Sequence, residues 1–268
     1  VAMKLVALRA ADYMRVASSE DKRYLLYNPV VKMKVTTQGE TVIDLLWDVI
    51  AAKGFEKNTF FEMASRDIRA LPKLEGTVHV NIALILKFMA SYFFRPKDYP
   101  EVEQQSQTTH DDYLFNQGPT RGLGRIQFHD YRKVYASVQL PNVKIFKQQI
   151  RLLKTLLMLA KPNKEQRKDI DFLMALGELF TLVVYGQLIL ENAKIYGISD
   201  DLVDQMFDFL VRDFSSHATQ LYSKTSTTKA QSRLCLLMIS KPVVNRARFN
   251  RLWSDQIYPL KDRYIMKP

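Results

Sequence analysis

The chain holds a single cysteine, Cys235, in 268 residues. One thiol forms no internal disulfide, so a disulfide-stapled secreted scaffold is excluded, and a reducing, cytoplasmic compartment is expected. A cysteine-based zinc cluster is excluded with it. The four histidines, His79, His110, His129 and His217, are scattered, so no metal site is expected. Glycine and proline are sparse, at 9 and 10 residues, which argues against a loop-rich β-sandwich and against a disordered chain. No alternating apolar and polar run is long enough for a convincing strand, and no internal repeat is visible. An uninterrupted apolar leader is missing too: VAMKLVALRAADYMRVASSEDKR interleaves charges with apolar residues. It reads as an amphipathic helix already under way, and we expect the chain to begin inside a larger protein.

What is present is helical. Apolar residues make up 47% of the chain, enough for one large core or two modest ones. Met3, Val6, Ala7, Ala10, Met14 and Ala17 mark one face of a first helix. Pro29 can open a second, carrying Val31, Val35, Val42, Leu45, Leu46, Val49 and Ile50 and stopping at Gly54. A shorter helix is expected over about Thr59–Ala70, ended by Pro72, and an apolar one from Thr77 to about Phe94. Between Pro96 and Pro141 the texture turns polar and glycine-bearing, and the stretch EVEQQSQTTHDD is expected to be mobile.

Beyond it, Val143–Leu159 is helical. Asn163 can cap a long helix that Gly197 ends, and Ser199 can cap the next, with Asp200 and Asp201 in its first turn. A last helix is expected over about Thr227–Ser240. The expectation is an all-α chain with a helical bundle over residues 1–95, a linker over 96–141 and a second helical domain over 142–268. Phe172–Leu190 nearly suffices to span a bilayer. Glu178 would then sit near the bilayer centre at a cost of about 2.5–3.5 kcal/mol, so a buried central helix, and no transmembrane segment, is expected.

One acidic residue raises a chemical question. Leu74-Glu75-Gly76-Thr77 places a carboxylate ahead of an apolar helix, next to a glycine that lets the backbone pass close to a ligand. It can favour the positive end of that helix. Or it can be a general base, which needs an apolar setting such as Leu71, Leu74, Val78 and Val80 to raise its pKa.

The stretch Ile50–Thr77 resembles the C-terminal domain of the FAD-dependent acyl-CoA dehydrogenases. Gly54-Phe55 matches that family's glycine turn followed by an aromatic. Arg66-Asp67-Ile68-Arg69 matches its Arg-Asp-Ala-Arg/Lys element, and Leu74-Glu75-Gly76-Thr77 its Tyr-Glu-Gly-Thr, with concordant spacing between the three. The resemblance covers roughly Val1–Phe94.

It implies α,β-dehydrogenation of an acyl-CoA thioester, with Glu75 removing the α-proton while the β-hydrogen leaves as hydride to FAD. It places Gly54, Gly76 and Thr77 at the cofactor, and makes Arg66 and Asp67 an ion pair anchoring the turn. It also implies an electron-transfer flavoprotein as partner, and a homo-oligomer or a complementary chain that carries the rest of the flavin site. The family's paired glycines are Ala51 and Ala52 here, Asp48 replaces a glutamine that approaches the adenosine portion of the flavin, and His79 follows the threonine by two. These departures favour the alternative, a non-catalytic helical interaction module grown from the same fold.

The net charge of +11 attracts anions in general, the phosphates of coenzyme A among them. Trp253 with Arg246, Arg248 and Arg251 could stack on and contact nucleic acid, but a solvated basic helix is expected and no nucleic acid. Gly118–Arg125 lacks the Gly-Lys-Ser/Thr ending of a P-loop and is expected to be a plain loop. Glu178 is expected to be a satisfied buried acid.

Overall fold

One long helix organises the packing of the others. The computed structural model describes residues 1–106, 112–118 and 121–263. Among these every regular element is helical and there is no strand, as the periodicity predicts. The polar stretch at Gln107–Asp111, with His110, and Pro119, Thr120 and Tyr264 lie outside the described residues.

The central helix is α10 (Ile170–Ile195), and residues from every side of it are buried. A helix apolar all round belongs in a core. It is the one helix among the described residues long and apolar enough to cross a membrane, yet 83% of its apolar window is buried by the rest of the chain. On one side pack α1 (Ala2–Arg15), α2 (Tyr24–Val30) and α5 (Val78–Leu86). On the other packs α11 (Asp200–Tyr222), which with α9 (Pro141–Leu159) and α12 (Lys229–Met238) completes a bundle. One contiguous apolar core runs from Leu5 to Met238.

The ends follow local chemistry. The Asp169 carboxylate accepts from Phe172 N and opens α10, and Gly197 closes its far end at a φ of 59°. Asn163, expected as that cap, instead accepts from Gln166 N in the preceding turn. Ser199 stands at the α11 N-terminus, but its hydroxyl makes no capping bond. Thr228 and Gln231 form a reciprocal capping box on α12. Glu178 is half-buried, 3.7 Å from His217 Nε2.

Two expectations need correction. Pro29 does not open a helix: α2 begins at Tyr24 and Pro29 lies inside it. A proline there removes one backbone bond and crowds the carbonyl four residues back. The next turn widens to a π-helix over Val31–Val35 before α3 (Thr36–Ile50) continues. The Thr36 and Thr37 hydroxyls donate to the carbonyls of Lys32 and Met33 in that turn.

The apolar helix after Thr77 is two helices, α5 and α6 (Met89–Phe94). At Lys87 and Phe88 the N–H groups bond three residues back rather than four, and Phe88 is driven fully into the core. Residues 96–141, expected as a linker, contain α7 (Asp112–Asn116) and α8 (Tyr131–Ala136), with Phe128, Tyr131 and Tyr135 buried.

Gly186 marks a tight point of the core. A Cβ there would lie 2.5 Å from the Tyr135 hydroxyl and 3.1 Å from Phe146. That hydroxyl donates to Val183 O at 2.7 Å and cannot retreat. Overpacking of this kind costs about 1–3 kcal/mol, which outweighs the gain of up to about 1 kcal/mol from replacing a helical glycine. Gly186→Ala is expected to lower the melting temperature by roughly 5 °C. An unchanged or raised midpoint in thermal unfolding would show that the aromatic cluster yields.

Candidate functional site

The turn that carries Glu75 is stitched to the first half of α3. Lys32 Nζ donates to Leu71 O, Arg69 pairs with Asp44, and Lys73 pairs with Glu40. Pro72 is buried beneath, and Glu75 (φ 52°) and Gly76 (φ 96°) then reverse the chain in the left-handed region. Asn81 Nδ2 fixes the reversal by donating to Gly76 O at 3.0 Å and Thr77 O at 2.9 Å.

Thr77 occupies the N-terminal cap position of α5 without a side-chain bond, and no acid lies in the first turn. Glu75 therefore does not cap the helix. Its side chain, like those of Thr77 and His79, is exposed. The apolar setting expected around it is open rather than closed: Leu71, Leu74 and Val80 all stand in solvent.

The Gly54 turn lies beyond the other end of α3. Ten residues separate Glu40 from Ile50, about 15 Å of helix axis, so Gly54 and Glu75 are not neighbours. Gly54 is buried, and a Cβ on it would lie 2.6 Å from Trp47 Nε1 and 3.2 Å from Phe61. The glycine is required by the indole packed over it. Phe61 sits on α4 (Phe60–Ile68), which Thr59 caps, close to the expected bounds. Trp47 Nε1 is buried with no acceptor. Arg66 pairs with Asp67 at 3.6 Å and with Glu62 at 3.6 Å, all largely at the surface, where such pairs contribute about 0–1 kcal/mol. The expected anchoring of the turn falls instead to Arg69, Lys73 and Lys32.

Between the two turns runs a face that no described residue covers. α3 has no buried residue at all. Val42, Leu45, Leu46 and Val49 form a stripe at helical spacing, continued by Phe55, Phe60 and Met63, and all seven are exposed. Glu75 and Thr77 are open to solvent, while the space beside Gly54, where the resemblance expects FAD, is filled by Trp47.

Ala51 supplies a further detail. Its φ of 54° and ψ of −135° lie where glycine is favoured and an L side chain is strained. Ala51→Gly is expected to stabilise the chain by about 0.5–1 kcal/mol, and a lower urea midpoint would contradict that strain.

The polar chemistry that sequence reading missed lies elsewhere, at the base of a cavity of about 520 Å³ bounded by α1, α8, α10 and the extended segment 98–103. Glu191 Oε2 accepts from Arg9 Nε at 2.7 Å and from the Tyr13 hydroxyl at 2.8 Å. Its Oε1 lies 2.8 Å from His129 Nε2 and accepts from Gln187 Nε2 at 2.7 Å. Tyr92 donates to Gln187 Oε1 and so fixes that amide. An ionised carboxylate only accepts, so His129 donates to Glu191 from Nε2, while Arg23 Nη1 lies 3.0 Å from His129 Nδ1 and Gln187 Nε2 lies 2.8 Å from His129 Nε2.

Burial alone would raise the Glu191 carboxyl. The hydrogen bond and charge at His129, then Arg9 and Gln187, instead pull it down to about 2. Burial, and next the Glu191 charge, push the Tyr13 phenol well above its usual range, so it stays a donor. Four donors fill the four lone-pair sites of the carboxylate, so it is not free to act as a base.

Comparison of the chain with protein-family models, with curated proteins and with solved structures finds no match. The arginines near Trp253 are largely engaged. Arg248 is buried against Asp204 and Arg251 pairs with Asp201, which leaves Arg246 of the three to meet a polyanion.

Proposed function

We propose that this chain is the C-terminal part of an FAD-dependent acyl-CoA dehydrogenase, with Glu75 as the base that removes the α-proton. The observation that carries the reading is the backbone at Glu75. A glutamate held at φ 52° is strained by about 1–2 kcal/mol in a position that glycine or asparagine would occupy more easily. It does not cap α5, and no ion pair or hydrogen bond to its carboxylate is formed among the described residues. Strain kept at an exposed carboxylate points to work done by the carboxylate.

Ala51 supports the same reading, because its backbone adopts the conformation of a glycine at one of the two places where the family has paired glycines. FAD, when bound, accepts the β-hydrogen as hydride. Glu75 takes the α-proton, and Gly76 lets the backbone approach the flat cofactor. Thr77 offers its hydroxyl beside it. Gly54 serves the site through packing, by admitting Trp47.

The uncovered α3–α4 face favours a second reading, a non-catalytic interaction module. In the first reading this face closes the flavin site against a second subunit or a complementary chain. In the second it binds a partner without cofactor. Electron-transfer flavoprotein belongs to the first reading alone.

Visible absorption of the purified protein, with any chain that accompanies it and with added FAD, separates them. The dehydrogenase reading requires a retained flavin band that bleaches anaerobically with some member of an acyl-CoA panel. A protein that retains no flavin, alone or with its partner, is an interaction module.

A further inference from the structure

A second pocket differs in character from both sites above. It is a slot of about 260 Å³ where α5 and α6 meet α9 and α10, and its walls are Leu86, Met89, Phe94, Leu157, Leu173 and Leu176. The wall is apolar throughout. Arg167 stands at its mouth. Arg167 Nε donates to Pro162 O at 3.2 Å, and its two terminal nitrogens have no acceptor among the described residues. Lys154 Nζ lies 5.4 Å from the centre of the Phe94 ring, and Arg167 is the one charged residue that lines the slot itself. Lys161, Lys164 and Lys168 flank it, and none of them is in an ion pair among the described residues.

The acids nearby do not neutralise this rim. Glu165, Asp169 and Asp171 are the acids nearest Arg167 in the sequence; none forms an ion pair with it among the described residues, and the two Asp169 oxygens accept from Phe172 N and Ser226. Outside the cations lies an apolar collar of Met158, Leu159 and Ile170, all more than half exposed.

We propose that this slot binds a free single-chain aliphatic carboxylate, with the chain in the slot and the carboxylate on Arg167. The two halves of such a ligand match the two halves of the site. A cationic or neutral head would leave the rim without a partner, and a polar chain would gain nothing from the leucine walls. A methylene needs about the 30 Å³ of a liquid water, so the slot takes about eight carbons. Guanidinium suits a carboxylate because it offers paired N–H donors in one plane. The inference is independent of the Glu75 reading, since the slot shares no residue with that turn.

The test is a calorimetric titration of the whole chain with hexanoate, octanoate, decanoate and dodecanoate, each below its micelle-forming concentration. Binding is expected to tighten about fourfold per methylene and to level off once about eight carbons are buried. Ala90, an exposed residue of the slot wall, gives a clean block: Ala90→Trp fills the slot and is expected to weaken decanoate at least tenfold at an unchanged melting temperature. Arg167→Glu is expected to remove the preference for decanoate over decanol.

A binding constant indifferent to chain length would overturn the proposal, as would an Ala90→Trp protein that holds decanoate as well as the parent does. Phosphatidylglycerol vesicles form the last arm. Sedimentation with vesicles but no decanoate binding would assign this surface to a bilayer and overturn the free-carboxylate assignment.

Discussion

Glu191→Gln is expected to lower the unfolding free energy by about 3–5 kcal/mol, the range for removing one partner of a buried ion pair. The reason lies in the count of donors. All four groups around the carboxylate donate: Arg9, Tyr13, Gln187 and His129 through Nε2. An amide has one oxygen and one NH2. Whichever way it turns, two donors face an NH2, and Arg9 keeps only Asp12 at 3.4 Å as a carboxylate partner.

The same group predicts an acid limit. The folded carboxyl is pulled down to about 2 from its ordinary 4.5, so the unfolded chain binds the extra proton between those values. Stability from this group is therefore full above about pH 5 and is lost as pH falls toward 2. Its size is on the order of 3 kcal/mol. Urea unfolding at pH 7 and pH 3 tests both statements. The parent should lose stability across that interval, and Glu191→Gln should lose less by about 2 kcal/mol, because pH 3 lies only part of the way down to the folded value. A variant within 1 kcal/mol of the parent at pH 7 would mean that the cluster relaxes into water.

Short-range signals in the sequence survive into the structure. The helical class, the stop at Gly197, the start of α4 at Thr59 and the place of α12 are all set by residues within a few positions of the boundary they mark. Where two local signals compete, the sequence is ambiguous. Asn163 and Asp169 are both good caps, and only the tertiary turn at Gln166 and Gln231 selects Asp169. Pro29 reads as a helix start, but the apolar contacts of Leu26, Tyr27 and Val30 carry the helix through it.

Periodicity also cannot say whether a face has a partner. Val42, Leu45, Leu46 and Val49 are spaced as a core stripe would be, and they are exposed. The Glu191 cluster was illegible for a different reason. Arg9 and His129 reach Glu191 across 182 and 62 residues of chain, and no local pattern in the sequence links the three. At Glu75 the motif was legible and the setting was not. The sequence places apolar residues around the carboxylate, and the fold leaves them open.

The Glu75 turn gives the last and most diagnostic expectation, because stability and chemistry should move in opposite directions there. Glu75→Gln keeps the side-chain length and the left-handed backbone, and it removes no partner that the fold uses. Its melting temperature should equal the parent's. In the flavin-loaded assembly its acyl-CoA dehydrogenation should fall by about 10²–10⁴-fold, the usual contribution of a positioned general base.

Glu75→Gly should be just as inactive and yet more stable than the parent, by about 1 kcal/mol, since glycine adopts a φ of 52° without a Cβ penalty. A purely structural glutamate would behave otherwise: its removal would cost stability or leave turnover intact. If Glu75→Gly is both more stable and inactive while Glu75→Gln is inactive at unchanged stability, the strain at this turn is held for the sake of the carboxylate. If either variant retains the parent's turnover, the base lies elsewhere and the dehydrogenase assignment of Glu75 falls.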